Sequence, residues 1–82
     1  MGKVATVFKV YAEDISMTDS IKADISNTLK PNGIQIDDIG FGIKVLKVMF
    51  IHEDQEGSTS FEEGLRKVKG VRDVEVEDET LI

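Results

Sequence analysis

The sequence predicts a single α+β domain in which two helices cover one face of a four-stranded antiparallel sheet. Three observations carry that reading. Strand-like and helix-like runs follow one another in the order β-α-β-β-α-β, and each helix-like run carries one apolar stripe. The chain has 82 residues, room for one core and no more. Two striped helices and one sheet bury their apolar faces together only as two layers. That arrangement is the split β-α-β, ferredoxin-like plan, with strands in the order 4-1-3-2 across the sheet, and residues 1–82 form one domain.

The elements can be justified in turn. Lys3 to Tyr11 (KVATVFKVY) is rich in Val, Thr and aromatic residues, and Val4, Phe8 and Val10 share one parity, the signature of a strand. The following segment, Asp14 to Asp19, supplies turn and cap residues, with Ser16 three positions before Asp19 as in a capping box. Ile21, Ile25 and Leu29 recur every fourth residue, which predicts a helix near 17–29 with Lys22, Asp24 and Ser26 facing water. Pro31-Asn32-Gly33 stops it. Ile34-Gln35-Ile36-Asp37 alternates and reads as a short strand, and Gly40-Phe41-Gly42 interrupts before Ile43 to His52 (IKVLKVMFIH), the strongest strand in the chain. Glu53 to Gly57 is a polar loop, and Thr59 with Glu62 has capping-box spacing. Phe61, Leu65 and Val68 predict a second helix near 59–68 that Gly70 ends, and Val71, Val74 and Val76 begin a short last strand running into an acidic tail.

Composition removes several function classes. Ten basic residues against sixteen acidic ones leave a net charge of −6, with four against six in residues 1–41 and six against ten in 42–82. Nucleic-acid binding rests on counterion release by clustered Lys and Arg, and no such cluster exists. No apolar run is long enough for a signal peptide or a membrane span. The chain has no cysteine, so disulfides, thiolate metal sites and cysteine nucleophiles are excluded. His52 is the only histidine and is expected as a solvent-exposed residue at a strand end, without the partners of a metal site. The Glu53–Gly57 loop lacks the alternating ligands and twelfth-position Glu of a calcium loop. No nucleophile–base pair and no glycine-rich phosphate loop is visible, so neither a cofactor nor an enzyme activity is predicted.

Two features remain. The long strand is apolar on both parities, Ile43, Val45, Met49 and Ile51 on one and Leu46, Val48 and Phe50 on the other. One set faces the helices; the other lies on the open sheet face, either as a tolerated surface or as a partner or self-association surface. An RNA-binding sheet is disfavoured by the acidic charge. The second feature is Gly40-Phe41-Gly42. Flanking glycines permit unusual backbone angles and clear side chains from the ring. The residues alone leave two readings, a ring folded back under its loop or an anchor projected into a partner, and favour the first.

The run Asp38-Ile39-Gly40-Phe41-Gly42-Ile43-Lys44-Val45-Leu46-Lys47-Val48 resembles the signature segment of the elongation factor 1-beta family. The acidic loop, Gly57-Ser58-Thr59, the Glu-rich helix from Phe61 to Val68, Val68-Lys69-Gly70-Val71 and Val74-Glu75-Val76 continue the likeness over residues 38–78. The length suits the short, archaeal-type members. The resemblance implies a cytoplasmic guanine-nucleotide exchange factor for the GTPase elongation factor 1-alpha, acting as a monomer when free, without nucleic-acid or membrane contacts. It further implies that Phe41 docks against the GTPase from the Gly40–Gly42 turn. The C-terminal end, here Leu81 and Ile82, would reach towards the magnesium and phosphate region of the nucleotide site. One departure is plain: eukaryotic relatives have a lysine next to last, whereas this sequence has no Lys or Arg after Arg72, so displacement of magnesium by a lysine does not carry over. Nor is anchoring to a larger complex through an N-terminal extension expected. The rival expectation is a ferredoxin-like regulatory or ligand-binding module that dimerises through its open sheet face.

Overall fold

The computed structural model describes residues 2–53 and 59–82. Its elements are β1 (Lys3–Ala12), a 3-10 turn (Ile15–Met17), α1 (Thr18–Thr28), β2 (Gly33–Gly40), β3 (Ile43–Glu53), α2 (Thr59–Arg66) and β4 (Val71–Leu81). All strand pairs are antiparallel, and the order β2-β3-β1-β4 is the expected 4-1-3-2 read from the other edge. The polar-loop and Gly57–Ser58 readings lie outside the described residues.

The core follows from strand parity. Register pairs Thr6 with Phe50, Phe8 with Val48 and Val10 with Leu46, so the middle of one face of the two central strands is apolar, with Thr6 and His52 as its buried polar members. Ile21 and Ile25 of α1 and Leu65 of α2 close over it, all three fully buried, with Leu29, Phe61 and Val68 packed at the margin. This settles the long strand: Leu46, Val48 and Phe50 face the helices, and Ile43, Val45, Met49 and Ile51 lie on the open face with Lys47, where Val45, paired with Tyr11, is nevertheless buried. The rings of Phe8 and Phe50 meet edge to face at 5.9 Å, and Phe61 of α2 stacks on Phe50 at 4.5 Å. Burying Leu, Ile or Phe side chains contributes about 1.5–3 kcal/mol each, so this cluster is the main source of stability.

Four local expectations are corrected. First, Ser16 does not cap α1: the Asp14 carboxylate accepts from the Ser16 amide at 2.9 Å and caps the 3-10 turn that leads into the helix. Those bonds from the Ser16 amide and hydroxyl hold the Asp14 carboxyl below its usual range. Second, α1 ends at Thr28 through Lys30, which takes a positive φ of 48° and donates its amide to the Ile25 carbonyl. Third, β4 is not short. It extends through the acidic run to Leu81, with a register shift near Glu77, because edge-strand pairing uses backbone groups and accepts exposed acidic side chains.

The fourth correction concerns His52, which is 6% exposed rather than a surface residue. Its position on β3 shares the helix-facing parity and pairs with Val4. Nδ1–H donates to the Glu53 carbonyl at 2.9 Å, and Nε2 shares a 2.9 Å hydrogen bond with the buried Thr6 hydroxyl. The imidazole lies 5.2 Å from the Phe61 ring. The two polar groups satisfy one another inside an apolar layer, which is why both can be buried. Thr6→Val keeps the shape but strands the imidazole nitrogen, so it is expected to destabilise the fold by about 1–3 kcal/mol in urea denaturation. Thr6→Ser, which keeps the hydroxyl, should lose less; equal stability of Thr6→Val and the parent would show that the bond contributes nothing.

Candidate functional site

The β2–β3 connection is a two-residue hairpin loop, Phe41-Gly42, closed by the Gly40–Ile43 pair. Positive φ at both loop residues, 56° and 73°, is the requirement of the type I′ turn that matches strand twist. Gly40 adds a third, at 99°. A Cβ at Gly40 or Gly42 would meet nothing within 4 Å, so these glycines are needed for backbone conformation and not for space. Asp38 steadies the approach: its carboxylate accepts from the Gly40 amide at 2.9 Å.

Phe41 is the anomaly. The first position of an I′ loop favours Asn, Asp or Gly, and a left-handed conformation costs other residues roughly 1–2 kcal/mol. Phenylalanine stands there nonetheless, and its ring is fully exposed. The alternative in which it folds back under its own loop is therefore excluded. An exposed aromatic ring on a strained backbone gives nothing to the fold, and such departures gather at functional positions.

Around the loop the topology assembles residues that sequence reasoning did not include. Ile39 and Ile43 flank it, and Ile15 of the 3-10 turn lies at the same end of the sheet; all three are exposed. Two shallow recesses adjoin them along Tyr11, Ile43 and Arg72. One, of about 360 Å³, is completed by Ile39, Asp73 and Glu75. The other, of about 210 Å³, is completed by Ala12, Ile15, Gly42 and Lys44. The Tyr11 hydroxyl donates to Glu75 at 3.3 Å, and its pKa is raised, first by burial and then by the Glu75 charge. Ile39 and Ile43 could have been suspected as apolar residues bracketing the glycines; Ile15 and Arg72 come from distant segments and carry no local signal.

Leu81 and Ile82 stand at the opposite end. Leu81 pairs with Val4, itself paired with His52, and the Ile82 amide donates to the Lys3 carbonyl at 2.9 Å. Both side chains are largely exposed. From Ile43 to His52 the strand covers roughly 30 Å at about 3.3 Å per residue, so the sequence-predicted site residues form two separate groups, Gly40-Phe41-Gly42 and Leu81-Ile82. Between them, the open face is polar at its centre. The Lys47 ammonium lies 3.1 Å from Asp37 and 3.2 Å from Glu77, with Lys9 at 3.9 Å from Glu77. Bonds to Asp37 and then Glu77 hold Lys47 above the usual amine range. Among the described residues no cluster of three or more His, Asp or Glu side chains is placed to hold a metal ion, and no helix is long and apolar enough to cross a membrane.

Comparison with solved structures supports the architecture. The ACT domain from GTP pyrophosphokinase of Chlorobium tepidum is similar in its solution NMR structure, with a TM-score of 0.63 and 27% identity over 89% of this chain and 83% of that one. Its crystal structure gives a TM-score of 0.59. Sequence relatives are closer. Elongation factor 1-beta of Aeropyrum pernix is 38% identical, covering 95% of this chain and 94% of its own. The same factor of Methanosphaerula palustris is 39% identical over 99% of both chains, and that of Thermoplasma volcanium 34% over the full length of both. The EF-1 guanine nucleotide exchange domain matches residues 6–82, and the chain belongs to that family.

Proposed function

We infer that this chain is a guanine-nucleotide exchange factor that promotes GDP release from the translational GTPase elongation factor 1-alpha so that GTP can rebind. Family membership supports the activity, and the Phe41 loop is the observation that supports the mode of contact: a bare ring held out on a strained two-residue turn. The protein makes and breaks no covalent bond in this role. It binds the nucleotide-free GTPase better than the GDP-bound form, and this difference alone shifts the partner towards release. The factor works in the cytoplasm, is a monomer when free, and touches neither nucleic acid nor membrane. Dimerisation through the open face is not favoured, since the Lys47–Asp37–Glu77 network would have to be desolvated. The direct experiment is release of a fluorescent GDP analogue from elongation factor 1-alpha with and without this protein; an unchanged release rate would refute the reading.

Within this reading Gly40 and Gly42 present Phe41 to the GTPase, and Leu81 and Ile82 act near the nucleotide. Phe41→Ala removes a fully exposed ring, so the melting temperature should hardly move while binding weakens by about 2–4 kcal/mol, as for a central aromatic hot spot. Phe41→Trp should retain part of the activity. Phe41→Asn tests the turn and the ring together. Asparagine suits the left-handed position, so stability should rise by a few tenths to about 1 kcal/mol while exchange collapses. A variant that loses stability and exchange in parallel would show that the ring supports the fold instead.

Removing Leu81 and Ile82 is expected to slow exchange more than it lowers stability. Their side chains are largely exposed, and the lost backbone bonds lie at a fraying strand end. Full exchange activity in the truncated protein, measured beside its melting curve, would remove the tail from the mechanism.

A further inference from the structure

The end of the sheet that carries Phe41 also presents two cations with no carboxylate partner among the described residues, and their surroundings distinguish them. Lys44 stands opposite Asp38 across the β2–β3 pair. The Asp38 carboxylate turns instead to the Gly40 amide, and no ion pair forms between them. Arg72 precedes Asp73, whose carboxylate is engaged by Arg66 at 3.3 Å and by the Val74 amide at 2.9 Å. Among the described residues neither Lys44 nor Arg72 has an acidic partner within 4.0 Å, whereas Lys9, Lys47 and Arg66 all do. Both line the recess of about 210 Å³ whose apolar walls are Ile15 and Ile43 and which Gly42 joins to the Phe41 loop.

That combination has a specific chemical complement. The recess is too small for a cofactor-sized ligand but accepts an apolar side chain. The cations beside it accept carboxylates. The molecule as a whole carries −6, and Glu77, Asp78 and Glu79 lie towards the far end of β4. Asp73 and Glu75 line the adjoining recess, but no acidic side chain lines this one, so an acidic partner surface finds its complement at the Lys44–Arg72 recess and the same charges that bind would also orient the approach.

We propose that Lys44 and Arg72 receive carboxylates of the GTPase on either side of an apolar side chain seated on Ile15 and Ile43, extending the docking surface begun by Phe41. This rests on the proposed function and adds to it the chemistry of the partner surface, an apolar residue flanked by acidic ones. Phe41 supplies the holding contact and the two cations supply steering. RNA is a poorer occupant, because two cations on an acidic protein release few counterions.

The test is stopped-flow association of the full chain with purified nucleotide-free elongation factor 1-alpha at low and moderate salt. Lys44→Glu, Arg72→Glu, their double variant and the milder Lys44→Gln/Arg72→Gln pair are compared with Phe41→Ala, with circular dichroism confirming the fold of each. The double reversal should slow association about tenfold at low salt and flatten its salt dependence, with the neutral pair in between. Phe41→Ala should instead speed dissociation and keep the salt dependence. A parental association rate and salt slope in both double variants would overturn the proposal while leaving the exchange function intact, provided that Phe41→Ala still weakens binding. Tighter binding of a single-stranded RNA oligonucleotide or of a second copy at this end, lost in the double reversal, would also overturn it. If the parent protein fails to speed GDP release, the functional reading falls and this inference with it.

Discussion

The register of β1 against β3 is the constraint on which the molecule depends. It sets Thr6, Phe8 and Val10 beside Phe50, Val48 and Leu46 on the face that the helices cover. A slip of β1 by one residue would turn Thr6, Phe8 and Val10 to the open face and bring Lys9 under the helices, opposite the still inward Leu46, Val48 and Phe50. The same register makes Thr6 and His52 near neighbours, 46 residues apart in sequence, so that two buried polar groups satisfy each other. It also fixes where β2 and β4 can add, since β1 pairs with β4 on its other edge and β3 pairs with β2 on its own. The Phe41 loop and the C-terminus are then necessarily at opposite ends.

Much of this architecture was legible because it rests on period. Alternation marked β1, and the fourfold spacing of Ile21, Ile25 and Leu29 marked α1. The ambiguities had physical causes too. β3 is apolar on both parities, so its inward face depends on partners and not on its own pattern. β4 hides its length because Glu77, Asp78 and Glu79 suit an exposed edge strand as well as they suit a tail. His52 reads as exposed from its local sequence, because burial of its imidazole is decided by a distant hydroxyl. The start of α1 offered two cap chemistries, Asp14 and Ser16, and only the conformation of the preceding turn selects between them.

The candidate site divides in the same way. Glycines on both sides of a phenylalanine announced an unusual backbone, and all three residues have positive φ. Local sequence could not say which way the ring points, because the competing burial site would have been tertiary. Ile15 and Arg72 were invisible for a related reason. Neither sits in a motif, and only the sheet order brings the 3-10 turn and the start of β4 to the loop. A residue that violates local turn preference without repaying the fold is thus more informative than its neighbours that obey it.

For the proposed exchange role, the separation of the two residue groups has a thermodynamic meaning. An anchor that grips the GDP-bound and nucleotide-free partner equally shifts no equilibrium, however tightly it holds. Discrimination needs a second contact whose strength differs between those states. The cross-strand ladder joins the two ends through β1 and β3, and the molecule extends over 41 Å, long enough to engage two regions of one partner. Rigid pairing matters here, because a flexible connection would let the far contact relax and lose its dependence on the partner's state. Charge adds the remaining asymmetry. On the proposed docking, Lys44 and Arg72 favour engagement at the Phe41 end first, and the acidic far end then meets the partner from a fixed direction. On this account the anchor supplies affinity and orientation, while the far end supplies the difference between states that drives release.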